Sequence, residues 1–141
     1  MKAKVSLLKG FHFEATVSDS GYRLEMDTAP EHGGAGVGAR PIELVLAGLA
    51  GCTAFDVITI LRKARQVVTG LEVVATGDRR NEDPKIFTHI HLEYVVRGRN
   101  VSEDVLKRAI ALSEEKYCSV SAMLKPTVSI TTSYKIEAEV Q

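Results

Sequence analysis

The chain has 141 residues, and its 18 basic and 18 acidic side chains cancel to a formal net charge of zero. Without a net field there is no general attraction to nucleic acid or to an anionic membrane, so neither is expected as a partner. The 2 cysteines are too few for a secreted disulfide framework, and the N-terminal MKAKVSLLKGFHF has no apolar run of signal-peptide length; one domain over residues 1–141, in a reducing cytoplasm, is expected.

In chain order, Lys2–Leu8 and Phe11–Val17 read as a hairpin joined at Lys9-Gly10. In its second arm Phe11, Phe13, Ala15 and Val17 alternate with His12, Glu14, Thr16 and Ser18, the period of a strand with one wet face. Asp19-Ser20-Gly21 is a turn signature, after which Tyr22–Asp27 makes a third strand. The run Thr28–Ala39, TAPEHGGAGVGA, carries four glycines and a proline and is expected to be a mobile loop leading into a helix. Its glycines do not form GxGxxG after a strand, so a dinucleotide site lacks support.

Pro41 suits a first helical turn, and from Leu44 to Leu61 the only charged residue is Asp56. Apolar side chains occupy every face, so this helix is expected to be buried all round. Ala47, Gly48, Ala50, Gly51 and Ala54 give it a small-residue surface for close packing. A chain of this size cannot wrap such a helix alone, and a homodimer is expected. The run approaches the roughly 20 apolar residues of a bilayer span. Asp56, Gly48, Gly51, Thr53 and Thr59 interrupt it, however, and no aromatic belt flanks it, so membrane insertion is not expected.

Arg62, Lys63, Arg65 and Gln66 suit the end of that helix, and Gly70 restarts the chain as strand. Leu71–Gly77 alternates, Arg79–Pro84 is a charged turn, and Ile86–Arg97 completes a second hairpin. That strand is expected to turn Ile86, Thr88, Ile90, Leu92, Tyr94 and Val96 inward and His89, His91, Glu93 and Arg97 outward. Ser102 can cap an amphipathic helix over Glu103–Tyr117. Cys118–Leu124 follows as a short helical segment re-capped by its serines, before Pro126 forces extension. Val128–Val140 alternates as the last strand. The order β-β-β-α-β-β-α-β describes an α+β domain, its mostly antiparallel sheet packed on a long central helix.

Cys52 lies in the middle of the long helix and Cys118 at the start of the short one. A buried free cysteine commonly behaves as a small hydrophobe. The alternative is a redox pair, in which one thiolate is oxidised to sulfenic acid and a neighbouring thiol condenses with it. Helix position alone nominates Cys118 as the attacker, since N–H groups at a helix start favour thiolate and an apolar mid-helix setting opposes it. A peroxide-reducing thiol also needs a guanidinium held by a carboxylate, and Arg40 and Glu43 are the nearest candidates in sequence. In a straight helix Glu43 and Cys52 fall on opposite faces, roughly 13 Å apart along the axis. They can therefore meet only between antiparallel helices of two subunits. Asp56, one turn beyond Cys52, is expected to be structural, bonded to a partner's backbone or to a basic group. His89 and His91 read as an exposed strand face before a metal pair, and Ser119 and Ser121 lack a His-Asp set for a hydrolase triad.

The combination Pro41-Ile42-Glu43-Leu44, Ala50-Gly51-Cys52-Thr53, Asp56-Val57 and Tyr117-Cys118-Ser119-Val120-Ser121 resembles the family of osmotically inducible protein C and the organic hydroperoxide resistance proteins (OsmC/Ohr). The resemblance covers nearly the whole chain. It implies an intertwined homodimer with two long helices at its centre and sheets outside, and thiol-dependent reduction of organic hydroperoxides. It also implies that Cys52 is the peroxidatic cysteine and Cys118 the resolving one, the reverse of the helix-position argument. In better-known members the catalytic glutamate directly follows the proline, whereas here that position is Ile42 and the acid, Glu43, stands ~100° further round. Their partnering arginine lies well upstream of the proline, where this chain offers only Arg23. Arg40 is the inferred substitute, and Arg23 the second choice.

Two functions follow. In the first, a dimeric peroxidase without metal, flavin or haem attacks an organic hydroperoxide with Cys52 and closes a disulfide with Cys118, which an external dithiol reopens. In the second, the same dimeric fold binds a small apolar ligand between its helices and both cysteines are core.

Overall fold

The computed structural model describes residues 1–139. It resolves into two compact units, Met1–Val45 and Leu46–Gln141, each built on a three-stranded sheet. In the first unit, β1 (Ala3–Lys9), β2 (His12–Val17) and β3 (Tyr22–Met26) form an antiparallel meander in that order. Both turns use a glycine in the left-handed region, Gly10 at φ 57° and Gly21 at φ 73°, which a side chain would disfavour. The loop after β3 was expected to be mobile, but it is tied down. Asp27, only 4% exposed, accepts hydrogen bonds from the backbone N–H groups of Thr28 (2.7 Å), Ala35 (3.2 Å) and Val37 (3.3 Å). Burial pushes that carboxyl up, but the three N–H groups outweigh it and hold it below the ordinary range.

The long helix α1 (Pro41–Lys63) begins as expected. The second unit carries the sheet β4 (Val67–Arg79), β5 (Phe87–Arg99) and β6 (Ser129–Ala138). β4 and β5 are antiparallel and β6 runs parallel to β5, as a strand does after a helical crossover. That crossover is α2 (Glu103–Leu112), a π-helical turn (Ser113–Tyr117) and α3 (Ser119–Leu124). Ser102 caps α2 by accepting from the Val105 N–H. Leu49, Val57 and Leu61 of α1, Ile90, Leu92, Tyr94 and Val96 of β5, and Leu106 and Ala109 of α2 are fully buried and make the core.

Five expectations are corrected here. β4 starts at Val67, ahead of Gly70, because its cross-strand bonds to β5 continue past an irregularity between Val68 and Gly70. A bulge between Asp78 and Arg79 shifts the start of β5, so Phe87 is buried while Thr88 and Ile86 are exposed. The helix expected over Glu103–Tyr117 gives way to the π turn at Ser113. The last strand ends at Ala138, and Val140 lies outside the described residues.

The fifth concerns α1, which is not buried all round within one chain. Its buried residues are Leu49, Thr53, Val57 and Leu61, one stripe at four-residue spacing. Phe55 is 76% exposed, and a Cβ added to Gly48 or Gly51 would meet nothing within 4 Å. By length and composition the helix could cross a membrane, yet only 22% of its most apolar window is buried. The physical reason is that the chain's own sheet supplies cover on one side only.

The stripe carries the attachment of α1. Leu61→Ala, in a site with no exposure, should lower unfolding free energy by about 2–5 kcal/mol in urea titration, whereas a loss below ~1 kcal/mol would contradict the packing described.

Candidate active site

Two positions on the apolar stripes are polar. Thr53 sits among Leu49, Val57 and Leu61, and Ser113 follows the buried Leu106, Ala109 and Ile110 of α2. A hydroxyl on an apolar stripe must find a partner on folding, and these find each other. Thr53 Oγ1 lies 2.7 Å from Ser113 Oγ and 2.7 Å from the Tyr94 hydroxyl. Ser113 Oγ donates to Asp56 Oδ2 at 2.9 Å. Thr53, Ser113 and Tyr94 are each 0% exposed. Burial, ahead of nearby negative charge, pushes the Tyr94 phenol up to about 12, against the pull of its bond to Thr53. Asp56 was expected to bond a partner's backbone or a basic group; its partner is instead a serine hydroxyl of the same chain. The sequence reading passed over Thr53, Tyr94 and Ser113, although a polar residue in an apolar stripe was the signal for two of them.

This chain of hydroxyls brings the cysteines together. Cys52 precedes Thr53 on α1, and Cys118 ends the π turn that Ser113 begins, its N–H donating to the Ser113 carbonyl at 2.8 Å. Both thiols are free; Cys52 is half-buried and Cys118 is 3% exposed. Cys118 is the N-cap of α3, its Sγ accepting from the Ser121 N–H at 3.4 Å. That bond was expected to favour a thiolate, and it does pull the pKa down. Burial outweighs it, and with Cys52 beside it and the Asp56 charge nearby the thiol is pushed up to about 11. At Cys118 burial thus outweighs the effect of the helix start.

Glu114, also in the π turn, borders the same cluster. One oxygen accepts from Ser121 Oγ at 3.5 Å and pairs with Lys125 Nζ at 3.7 Å, while Oε1 is buried with no partner among the described residues. Burial raises its pKa, opposed by the Lys125 charge.

Arg40 and Glu43 are brought to each other in the first unit. Glu43 Oε1 accepts from the Arg40 backbone N–H at 2.9 Å and from Arg40 Nε at 3.2 Å. The first bond is the return half of a capping box, an acid at the third helical position closing on the residue before the helix. These bonds, the backbone one first, hold the Glu43 carboxyl below its ordinary value. Arg23 sits 3.9 Å from Glu14 and is largely exposed. His91 bonds to the hydroxyls of Thr131 and Ser133 across on β6, and His89 shares Thr131, so the histidine face engages a neighbouring strand.

A family model described as OsmC-like protein matches residues 32–133 of the chain. Protein YhfA of Escherichia coli K12 is 44% identical over 98% of this chain and 99% of its own. A hypothetical protein from Aquifex aeolicus VF5 has the same fold with TM-score 0.86 and 32% identity, over 99% of this chain and 97% of that one. An organic hydroperoxide resistance protein OsmC from Legionella pneumophila superposes with TM-score 0.69 at 17% identity over 95% of each chain.

Two outcomes test this geometry. Thr53→Val removes the hydroxyl between two fully buried partners and should cost about 1–3 kcal/mol in urea unfolding; a neutral effect would contradict the hydroxyl chain. In Cys52→Ser the remaining thiol should develop thiolate absorbance only well above pH 9, its ordinary value, since burial is the first cause of its shift to about 11. Because the folded pKa is the higher, the stability from this thiol is fully present below pH 9 and lost as pH rises towards 11. Titration at or below pH 9 would refute the burial argument.

Proposed function

The chain belongs to the OsmC-like family, and from that premise we propose that it is a cysteine-based peroxidase reducing organic hydroperoxides to alcohols. The observation that supports this reading is the pairing of a half-buried thiol, Cys52, with a buried one, Cys118, directly beside it. The Cys52 thiolate attacks the terminal peroxide oxygen, the O–O bond breaks, and the alkoxide leaves as alcohol after taking a proton. Cys52 becomes a sulfenic acid, Cys118 condenses with it to a disulfide with loss of water, and an external dithiol reduces the disulfide. No metal, flavin or haem enters the cycle, and a cytoplasmic location suits the dithiol it needs. The name of the Legionella protein, an organic hydroperoxide resistance protein, is in keeping with this chemistry.

The working form is proposed to be a homodimer. The open faces of α1 at Gly48, Gly51 and Phe55 need cover, and a second α1 with the same small-residue surface fits them. A bilayer does not, because the stripe at Thr53 is committed to the sheet and Asp56 to Ser113. On the same reading the Arg40 guanidinium, held by Glu43, activates the Cys52 thiol in the assembled dimer.

Ala47→Glu should abolish the dimer in sedimentation analysis, and a stably folded parent monomer at micromolar concentration would refute the assembly. For the chemistry, intact mass after one equivalent of cumene hydroperoxide should fall by two hydrogens in the parent. Cys118→Ser should consume about one equivalent and hold a sulfenic acid trappable by dimedone, and Cys52→Ser should consume none. Mass unchanged in the parent would favour the ligand-binding module.

A further inference from the structure

The peroxidase reading, on which this inference rests, requires the Cys118 sulfur to reach Cys52 once Cys52 is oxidised. Position governs that step, since a misplacement of about 1 Å at a reacting centre can cost on the order of a hundredfold in rate. The two cysteines sit on different elements, Cys52 within α1 and Cys118 at the head of α3. Their spacing therefore depends on what fastens those elements to each other. With only six residues α3 is too short to stand by helix propensity, so its contacts decide where its head lies.

Two consecutive residues of the π turn do the fastening. Ser113 ties the turn to α1: it donates to Asp56 Oδ2 at 2.9 Å and lies 2.7 Å from the hydroxyl of Thr53, the residue after Cys52. Glu114 ties α3 to the turn. Its Oε2 accepts from Ser121 Oγ at 3.5 Å and stands 3.7 Å from Lys125 Nζ, which also donates to the Glu114 carbonyl. Ser121 is in the first turn of α3 and Lys125 caps its end, so one residue grips the short helix at both ends. The grip passes on to the sulfur. Ser121 is fully buried, and while its hydroxyl goes to Glu114 its backbone N–H donates to Cys118 Sγ at 3.4 Å. The other carboxylate oxygen, Oε1, is buried with no partner among the described residues. An orphan oxygen counts against stability, so the fold alone does not account for an acid at this place, whereas the two bonds at Oε2 do.

We infer that Glu114 is a positioning residue for the resolving thiol, holding α3 through Ser121 and Lys125 so that the Cys118 sulfur stands within reach of Cys52. In the step it serves, the Cys118 sulfur bonds to the Cys52 sulfur and the S–O bond of the sulfenic acid breaks. The Cys118 proton leaves with the hydroxide as water. Glu114 acts through α3 and takes no proton.

A probe that needs no peroxide separates this inference from the peroxidase reading. With dithiodipyridine, the more exposed Cys52 forms a mixed disulfide and releases one thiopyridone. Attack by Cys118 on the Cys52 sulfur then displaces the second, whose rate is read in the same absorbance. In Glu114→Ala the second release should slow on the order of a hundredfold while the first keeps its rate. Glu114→Gln, whose amide oxygen can take the place of Oε2, should restore most of the parental rate. A residue that served stability alone would lower the urea midpoint and leave the second release of the folded protein unchanged, and that result overturns the proposal. So does a Glu114→Gln variant as slow as Glu114→Ala, because the charge or a proton would then be at work instead of the grip. Absence of a second release in the parent overturns it too. Should Glu114→Ala fail to fold, Ser121→Ala replaces it: loss of the hydroxyl should slow the second release by a smaller factor, and an unchanged rate overturns the proposal. Whether the parent loses two hydrogens to hydroperoxide is read independently, so the grip and the peroxidase reading fail separately.

Discussion

Three hydroxyls taken out of water, those of Thr53, Ser113 and Tyr94, set the terms of this structure. A buried hydroxyl left without a partner costs about 1–3 kcal/mol, so the helix, the strand and the turn that carry them have to meet at one point. Their meeting decides where the thiols go. Cys52 is bonded in sequence to Thr53, and Cys118 is tied to Ser113 by the backbone bond across the π turn. The two sulfurs are neighbours because the hydroxyls are, and neither cysteine needs to attract the other for the pair to form. Asp56 is drawn into the same cluster by Ser113.

The cluster also makes the thiols unequal. Cys118 follows the π turn with almost no exposure, while Cys52 stays half-buried on a helix that its own chain covers on one side only. Burial penalises a charged sulfur, and one backbone N–H does not offset that. A position at the start of a helix is therefore a poor guide to thiolate formation when the site is dry. In the first unit the acid of the long helix does local work. Glu43 closes the helix start on Arg40, a task that its position one residue beyond Ile42 permits.

Periodicity made most of the fold legible. The alternation of Phe13 with Glu14 and of Leu92 with Glu93 marked strands, Pro41 marked a helix start, and Ser102 a cap; the matching family and its solved structures bear out the α+β architecture. Two of the misreadings share a cause, a single residue of slip that alternation and helical period cannot register. The bulge at Asp78 exchanges Phe87 for Thr88 on the core face, and the π turn adds a residue where an α-helix was expected. The parallel pairing of β6 was equally hidden, since an alternating strand looks the same in either direction. At the site, the cysteines and Asp56 stood out by type and spacing. Thr53 and Ser113 were signalled only as polar residues on apolar stripes, and that they meet each other and Tyr94 depends on partners distant in sequence.

The account rests on a thiol pair that is adjacent and unequal. Site-resolved alkylation tests it most directly: the reduced native protein is exposed to iodoacetamide at pH 8, samples are quenched over time, and labelling of the two cysteine-bearing peptides is followed by mass spectrometry. The account predicts that Cys52 is labelled while Cys118 stays protected until the protein is unfolded. Equal rates, or faster labelling of Cys118, would contradict it.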